Sequence, residues 1–364
     1  MADTMKGVYF KGFNALRLYA ALSVVVQHVS YSPHDWFGTP LLPVTLECLF
    51  LNGPDAVNLF FVLSGFLITY LLLNERERTG SISIRNFYIR RAFRIYPVYF
   101  LYLFGVILLL QPHYRPELLL LLTFFLGNAA FVLFFPFPPF EHLWSIGVEE
   151  QYYLLAPIIV RFKAHAAKIA LGVILIWWGV MFLSDLLPTG ILTAFVQMSR
   201  YDLIALGALT AYAYYHQWAI LRLIGYRITL IASLLIILYA VVFVPPSTGI
   251  FHSTIVGLAF AVLIYHIACG EKVIPFLHHP ALEYLGKLSY SMYVYHPLFV
   301  LIFYTLFYER LSLPIYQLVA YPTVIVVSLA VSWLSYEKLE RLFLNRKERF
   351  RSDYVVQQHT SANL

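Results

Sequence analysis

The residues best equipped for chemistry lie inside apolar runs. Phe13-Asn-Ala-Leu-Arg17-Leu-Tyr-Ala-Ala-Leu-Ser-Val-Val-Val-Gln-His28 carries a guanidinium and an imidazole eleven residues apart. At about 100° per residue a helix returns both to within about 20° of one stripe, about 16 Å apart along the axis. An imidazole there can take a proton from a hydroxyl. It can equally be a histidine that bonds to a neighbouring helix, with Arg17 reaching for the membrane interface.

A second group is His142-Leu-Trp144-Ser145-Ile-Gly-Val-Glu149-Glu150-Gln-Tyr-Tyr153. Ser145 and Glu149 are four apart and share a helix face. Glu149 close to His28 would fix the imidazole tautomer and raise its basicity, with the two groups about 3 Å or one water apart. The competing assignment is a helix cap, with Ser145 at the start and both glutamates favouring the positive end. Third comes Arg90-Arg91-Ala-Phe-Arg94-Ile-Tyr-Pro97, where Arg91 and Arg94 can offer two forks to one polyanion. A basic membrane anchor is the plainer account. Further pocket candidates are Asn58, Arg200, Asp202, Tyr290 and His296, together with Trp144 and Tyr153. For Arg200 with Asp202, and for His296 before Pro297, an interior structural role competes. Ser64-Gly65 reads as a small-residue packing contact. No metal motif or glycine-rich phosphate loop occurs, and His278-His279 has no further ligands beside it.

The elements that must position these groups follow from composition. Of 364 residues 60% are hydrophobic and only 12% charged, against about 25% charged in an average soluble domain. Soluble enzymes, coiled coils, collagens, disordered tails and disulfide scaffolds are excluded, and Cys48 and Cys269 supply no disulfide framework. The chain reads as an all-α, polytopic membrane protein. Runs of about 17–25 apolar residues can cross a bilayer as helices. Eleven candidates occur, near 13–31, 55–73, 95–111, 117–135, 144–160, 169–187, 191–215, 228–244, 252–269, 288–308 and 315–336. No small-residue cleavage site follows the first, so a removable leader is not expected.

The net charge of +6 reflects topology and not nucleic-acid binding. Six basic clusters hold 22 of the 25 Lys and Arg. They are the N-terminus with Lys6, Lys11 and Arg17, the 75–94 stretch, Arg161 to Lys168, Arg222 with Arg227, Lys272 with Lys287, and the tail from Lys338 to Arg351. Stretches 31–54 and 245–251 contain neither residue. The positive-inside rule puts all six clusters in the cytoplasm. Between Arg94 and Arg161 the chain must then cross an even number of times, so one of three candidates does not span. Run 117–135 is the expected exception, flanked by Arg115, Glu117 and Pro136, Pro138 and Pro139. About ten transmembrane helices result, with both termini cytoplasmic and one re-entrant or non-spanning segment. No internal repeat is evident. The expected organisation is a membrane-embedded domain over 1–340 and a basic cytoplasmic tail over 341–364.

In this order, Arg17-x10-His28, Phe60-Phe-Val-Leu-Ser64-Gly65-Phe, Arg91-x2-Arg94-Ile-x-Pro97, Trp144-Ser145-x3-Glu149 and Leu285-Gly-Lys-Leu-Ser289-Tyr290-x2-Tyr293-x2-His296 resemble the acyltransferase-3 family. Its members are bacterial integral-membrane O-acyltransferases that move acetyl or other short acyl groups from coenzyme A to sugars, exported glycans or secreted metabolites. The likeness covers roughly residues 9–340. It implies His28 as the essential histidine, with Arg17 as its partner motif. It also implies Arg91 and Arg94 (with Arg90 beside them) as acyl-CoA ligands, and Ser145 with Glu149 as the serine–glutamate motif. Asn14 and Asn58 depart from the family, which often has acids at these positions. The resemblance further implies acetyl-CoA or another acyl-CoA as co-substrate and no permanently bound cofactor. The acceptor would be a glycan or small hydroxylated compound, and the location the bacterial inner membrane. Absence of an appended periplasmic domain favours direct transfer to the final acceptor. Acylation of a small metabolite such as a macrolide is the alternative within the family. A glycan or lipid transporter with buried charges is the alternative outside it. Oligomeric state has no signal in the sequence.

Overall fold

The structure, a computed structural model, describes residues 10–31, 49–110, 114–162, 164–186, 190–221, 227–243, 250–270 and 275–350. All regular structure among them is helical. In chain order the helices are α1 (Phe13–Ser30), α2 (Gly53–Thr79), α3 (Ile84–Leu110), α4 (Pro116–Thr123), α5 (Gly127–Phe134), α6 (Leu143–Arg161) and α7 (Ala164–Leu186). They continue with α8 (Ile191–Met198), α9 (Tyr201–Tyr215), α10 (Arg227–Phe243), α11 (Ile250–Ala268) and α12 (Pro280–Leu285). Last come α13 (Ser289–Phe307), α14 (Leu313–Ser335), a π-helical turn (Tyr336–Glu340) and α15 (Arg341–Lys347).

Six helical stretches are long and apolar enough to cross a membrane: Gly53–Thr79, Ile84–Leu110, His165–Ser184, Phe251–Ala268, Pro280–Phe307 and Leu313–Phe350. Helices α1 and α6 fall outside that set because they carry the polar groups singled out above. Leucines and isoleucines such as Leu108, Ile176, Ile228 and Leu318 stand exposed on outward faces, where a bilayer would solvate them. The last stretch is longer than any bilayer needs. At about 1.5 Å per residue, α14 alone covers the hydrocarbon thickness of about 30 Å. The charged residues that follow it project beyond.

Run 117–135 is not one helix. It breaks into α4 and α5 at Phe125, which has left-handed backbone (φ 58°). Run 191–215 also breaks, into α8 and α9 at Ser199 and Arg200, where one continuous span was expected. Basic residues Lys6, Lys163, Arg222, Lys272 and Arg351, and the end of the proposed tail, lie outside the described residues.

Local chemistry explains how the central helices are set. The α1 N-terminus is held by Glu283, which accepts from Gly12 N (2.5 Å) and Asn14 Nδ2 (2.9 Å), a carboxylate where the helix dipole favours one. At α2, Asn52 caps by accepting from Asp55 N (2.8 Å), which satisfies one of the orphan donors of a helix start. Helices α2 and α9 meet through glycines. A Cβ on Gly65 would collide with the Ile204 carbonyl, and one on Gly207 with that of Val62. Such small residues let membrane helices approach backbone to backbone.

Candidate functional site

A cavity of about 280 Å³ opens between α1, α2, α3, α6, α13 and the C-terminal helix. Its cationic end is made by Arg17, Arg91, Arg94 and Lys347. Among the described residues, Arg17 donates no hydrogen bond, and nothing accepts from the buried Arg91 Nε. Arg94 lies 3.9 Å from Glu340 Oε2, an electrostatic contact too long for a hydrogen bond. A buried N–H without an acceptor is costly, and at Arg91 Nε an anion in the cavity would relieve that cost. Arg90 is a correction to the sequence reading. Its guanidinium binds Glu75 (2.5 Å) and the Phe350 carbonyl (2.7 Å) and is absent from the cavity wall.

The cavity wall also carries Glu149, Ser64, Tyr153, Ser145 and Tyr293. Glu149 accepts from Ser64 Oγ and Tyr153 OH, each at 2.9 Å, and faces Arg17 and Arg91 electrostatically. The expected contact between Glu149 and His28 is not made, because Ser64 and Tyr153 occupy the carboxylate. Ser64 therefore does more than pack, whereas Gly65 packs as expected. Ser145 Oγ sits 2.6 Å from Tyr293 OH, and both lie within 3.2 Å of the His142 carbonyl. Whichever hydroxyl donates to the other, that carbonyl takes the remaining proton. No base touches Ser145 in this arrangement.

His28 is buried and is not among the residues that line the cavity. Its Nδ1 lies 2.7 Å from His296 Nε2, and the rings stack at 5.0 Å between centroids. His296 Nδ1 is 3.2 Å from the Met292 carbonyl. A carbonyl only accepts, so His296 carries its proton on Nδ1 and presents Nε2 as an acceptor. His28 must then donate from Nδ1, which leaves the lone pair on its Nε2. A neutral pair in this register fixes the tautomer that a base requires. The ring of His142 lies 5.7 Å from His296, that of Tyr293 5.8 Å. Tyr293 therefore touches both the cationic cavity and the histidine group.

The remaining candidates divide. Tyr153 and Tyr290 line the cavity, and Tyr290 OH is fixed on the Ile95 carbonyl at 2.9 Å. Trp144 packs edge-on against Phe61 at 5.9 Å, off the wall. Asn58 donates to Asp55 Oδ1 (3.2 Å), and His252 Nε2 lies 2.8 Å from Asp55 Oδ2. The carboxylate is thus one turn earlier than the position where Asn58 replaces an acid. Arg200 grips Asp202 through Nε (2.9 Å) and Nη2 (2.8 Å), at the break before α9. This pair is interior structure away from the cavity, not part of the pocket. His142, Ser64, Tyr293 and Lys347 were not among the site residues expected from sequence. The first three lie within motifs quoted above, but only packing shows which groups meet. Among the described residues no group of acids, histidines or cysteines could hold a metal.

Comparison with known proteins agrees with this arrangement of motifs. The profile described as an acyltransferase domain matches residues 10–337, so the chain belongs to the acyltransferase-3 family. O-acetyltransferase OatA of Staphylococcus aureus (strain NCTC 8325 / PS 47) is 26% identical over 94% of this chain and 58% of its own length. A protein of S. aureus (strain MRSA252), named provisionally as an O-acetyltransferase, is 27% identical over 96% of this chain and 60% of its own. The chain thus spans about three fifths of these relatives. No solved structure matches it.

Proposed function

We propose that the protein is a multi-pass membrane O-acyltransferase that moves an acetyl or other short acyl group from acyl-CoA to a hydroxyl of an exported or cell-surface glycan. In this reading about ten helices cross the inner membrane and both termini are cytoplasmic. The observation that carries the reading is a cavity lined by Arg17, Arg91, Arg94 and Lys347, with Tyr293 on its wall and in ring contact with the His142 and His296 group that fixes the His28 tautomer. Arg17, Arg91 and Arg94 hold the donor's phosphates, and the pantetheine arm runs along α1 toward Tyr293. When Tyr293 turns aside, the thioester reaches His28.

His28 Nε2 takes the proton of the acceptor hydroxyl as its oxygen attacks the thioester carbon. The C–S bond breaks, the ester forms, and the thiolate recovers the proton from His28. His296 replaces Glu149 as the group that orients the base. The relatives' names and the family support O-acyl transfer. The wall around Ser145, with a tyrosine and a carbonyl for company, supports direct transfer over an acyl-serine.

The test is acceptor-dependent release of free thiol from acetyl-CoA by purified protein, with the product's mass measured in cells. His28→Ala is expected to lower turnover about 10²–10⁴-fold, the range typical of positioned acid–base help. Unchanged turnover in that variant overturns the reading. Movement of a glycan without coenzyme A would make the protein a transporter.

A further inference from the structure

The C-terminal helix does more at the cationic cavity than follow the last span. The π-helical turn brings Glu340 inside, where Ser291 Oγ donates to it at 2.8 Å and Arg94 lies 3.9 Å away. Beyond it, Phe343 and Phe350 pack on Phe93 with ring centroids 6.1 Å and 5.8 Å away. The Phe350 carbonyl accepts from Arg90 Nη1 at 2.7 Å. These contacts fix α15 without involving Lys347, which nevertheless lines the same cavity as Arg17, Arg91 and Arg94.

We propose that Lys347 is a fourth cationic ligand for the donor's phosphates, delivered by the C-terminal helix across the mouth of the arginine cavity. The inference rests on the acyl-CoA reading. A lysine that merely anchored a tail would point to water or lipid headgroups. This one turns toward three arginines, and repulsion among four cations favours a polyanion between them. Two carboxylates offset part of this charge, Glu149 facing Arg17 and Arg91 and Glu340 facing Arg94, against four cations. Arg91 Nε, buried without an acceptor among the described residues, independently marks the position as a place for a ligand. A nucleotide with a pyrophosphate and a further phosphate supplies charge of the right sign and amount.

Lys347 lies beyond the spanning part of α14. Burial, then Arg91 and Arg94, and further off Arg90, push its amine down to about 7, with Glu348 opposing. The other charged or titratable groups around it are Arg17 on α1, Glu149 and Tyr153 on α6, Tyr290 on α13 and Glu340 on the π turn. A phosphate beside the amine favours its charged form, so donor binding takes up a proton there. Affinity is therefore highest below about pH 7 and weakens as pH rises above it.

The experiment measures the dissociation constant for CoA by calorimetry on the full-length chain in detergent, at pH 6.5 and pH 8.5. Loss of one charge-assisted contact predicts a rise of about ten- to hundredfold in Lys347→Ala at the lower pH. Lys347→Arg, which stays charged, is expected to keep the affinity and lose the weakening at pH 8.5. Lys347→Gln, which keeps the stem, guards against a folding defect and is expected to follow the alanine variant. If wild type binds CoA and both neutral variants bind it equally well, the role of Lys347 is overturned while the acyl-CoA reading stands. If wild type binds no CoA, that reading falls, and this inference with it. If the Lys347-dependent ligand is instead phosphatidylglycerol in mixed micelles, with CoA bound equally by all variants, a lipid anchor replaces the proposal.

Discussion

Two hydrogen bonds to His296 decide what His28 can do. One comes from His28 Nδ1 at 2.7 Å and one runs to the Met292 carbonyl at 3.2 Å. His296→Phe keeps a ring of similar size but removes the acceptor that fixes the tautomer. We expect it to lower turnover at least tenfold while CoA affinity, measured by calorimetry, stays as in wild type. Ser145→Ala is expected to retain substantial turnover, and peptide mass spectrometry after acetyl-CoA exposure to show no acylated serine; a stable acyl-Ser145 would sink direct transfer. At this scale the sequence singles out His28, Arg17, Arg91, Arg94, Ser145 and Glu149 as candidates. The pairing it suggests between Glu149 and His28 is replaced by Glu149 with Ser64 and Tyr153, and His28 with His296. Helical spacing says which residues share a face of one helix. It is silent on which neighbouring helix that face meets, and the imidazole meets His296 instead of Glu149. Lys347 had no signal at all, since a basic tail looks the same whether or not it folds back.

Helices α2 and α9 are pressed together by Gly65 and Gly207, each lying against a carbonyl of the other helix. Because backbone cannot yield as a flexible side chain can, Gly207→Leu should be among the most destabilising substitutions in the chain. Overpacking of this kind typically costs about 1–3 kcal/mol or more, and the thermal midpoint in detergent measures it. Loss of this contact would also shift Ser64 away from Glu149, which links helix packing to the site. Proline and charge around run 117–135 set it apart from the other runs, and the structure breaks it into α4 and α5. The break in 191–215 was hidden because apolar residues flank Arg200 and Asp202 closely, and averaged hydropathy passes over a pair that neutralises itself.

For the whole molecule, the two native cysteines test the orientation. Positive-inside topology puts the 31–54 stretch, with Cys48, outside the cytoplasm, and the loop after α11, with exposed Cys269, inside it. A membrane-impermeant maleimide applied to spheroplasts of the Cys48→Ser variant should leave the protein unlabelled until the cells are permeabilised. The Cys269→Ser variant should label at once. The reverse pattern would invert the proposed orientation and bring the donor to the wrong compartment.

The partition formed by Tyr293, with Phe60 edge-on against it at 5.8 Å, has a bearing on the cell's energy supply. A conduit from the arginine-lined cavity through to the outer surface would short-circuit the electrochemical gradient whenever the protein stood idle. The phenol's seat on Ser145 and the His142 carbonyl is expected to keep such a path closed at rest, so expressing Tyr293→Ala should make vesicles lose a pH difference faster than wild type.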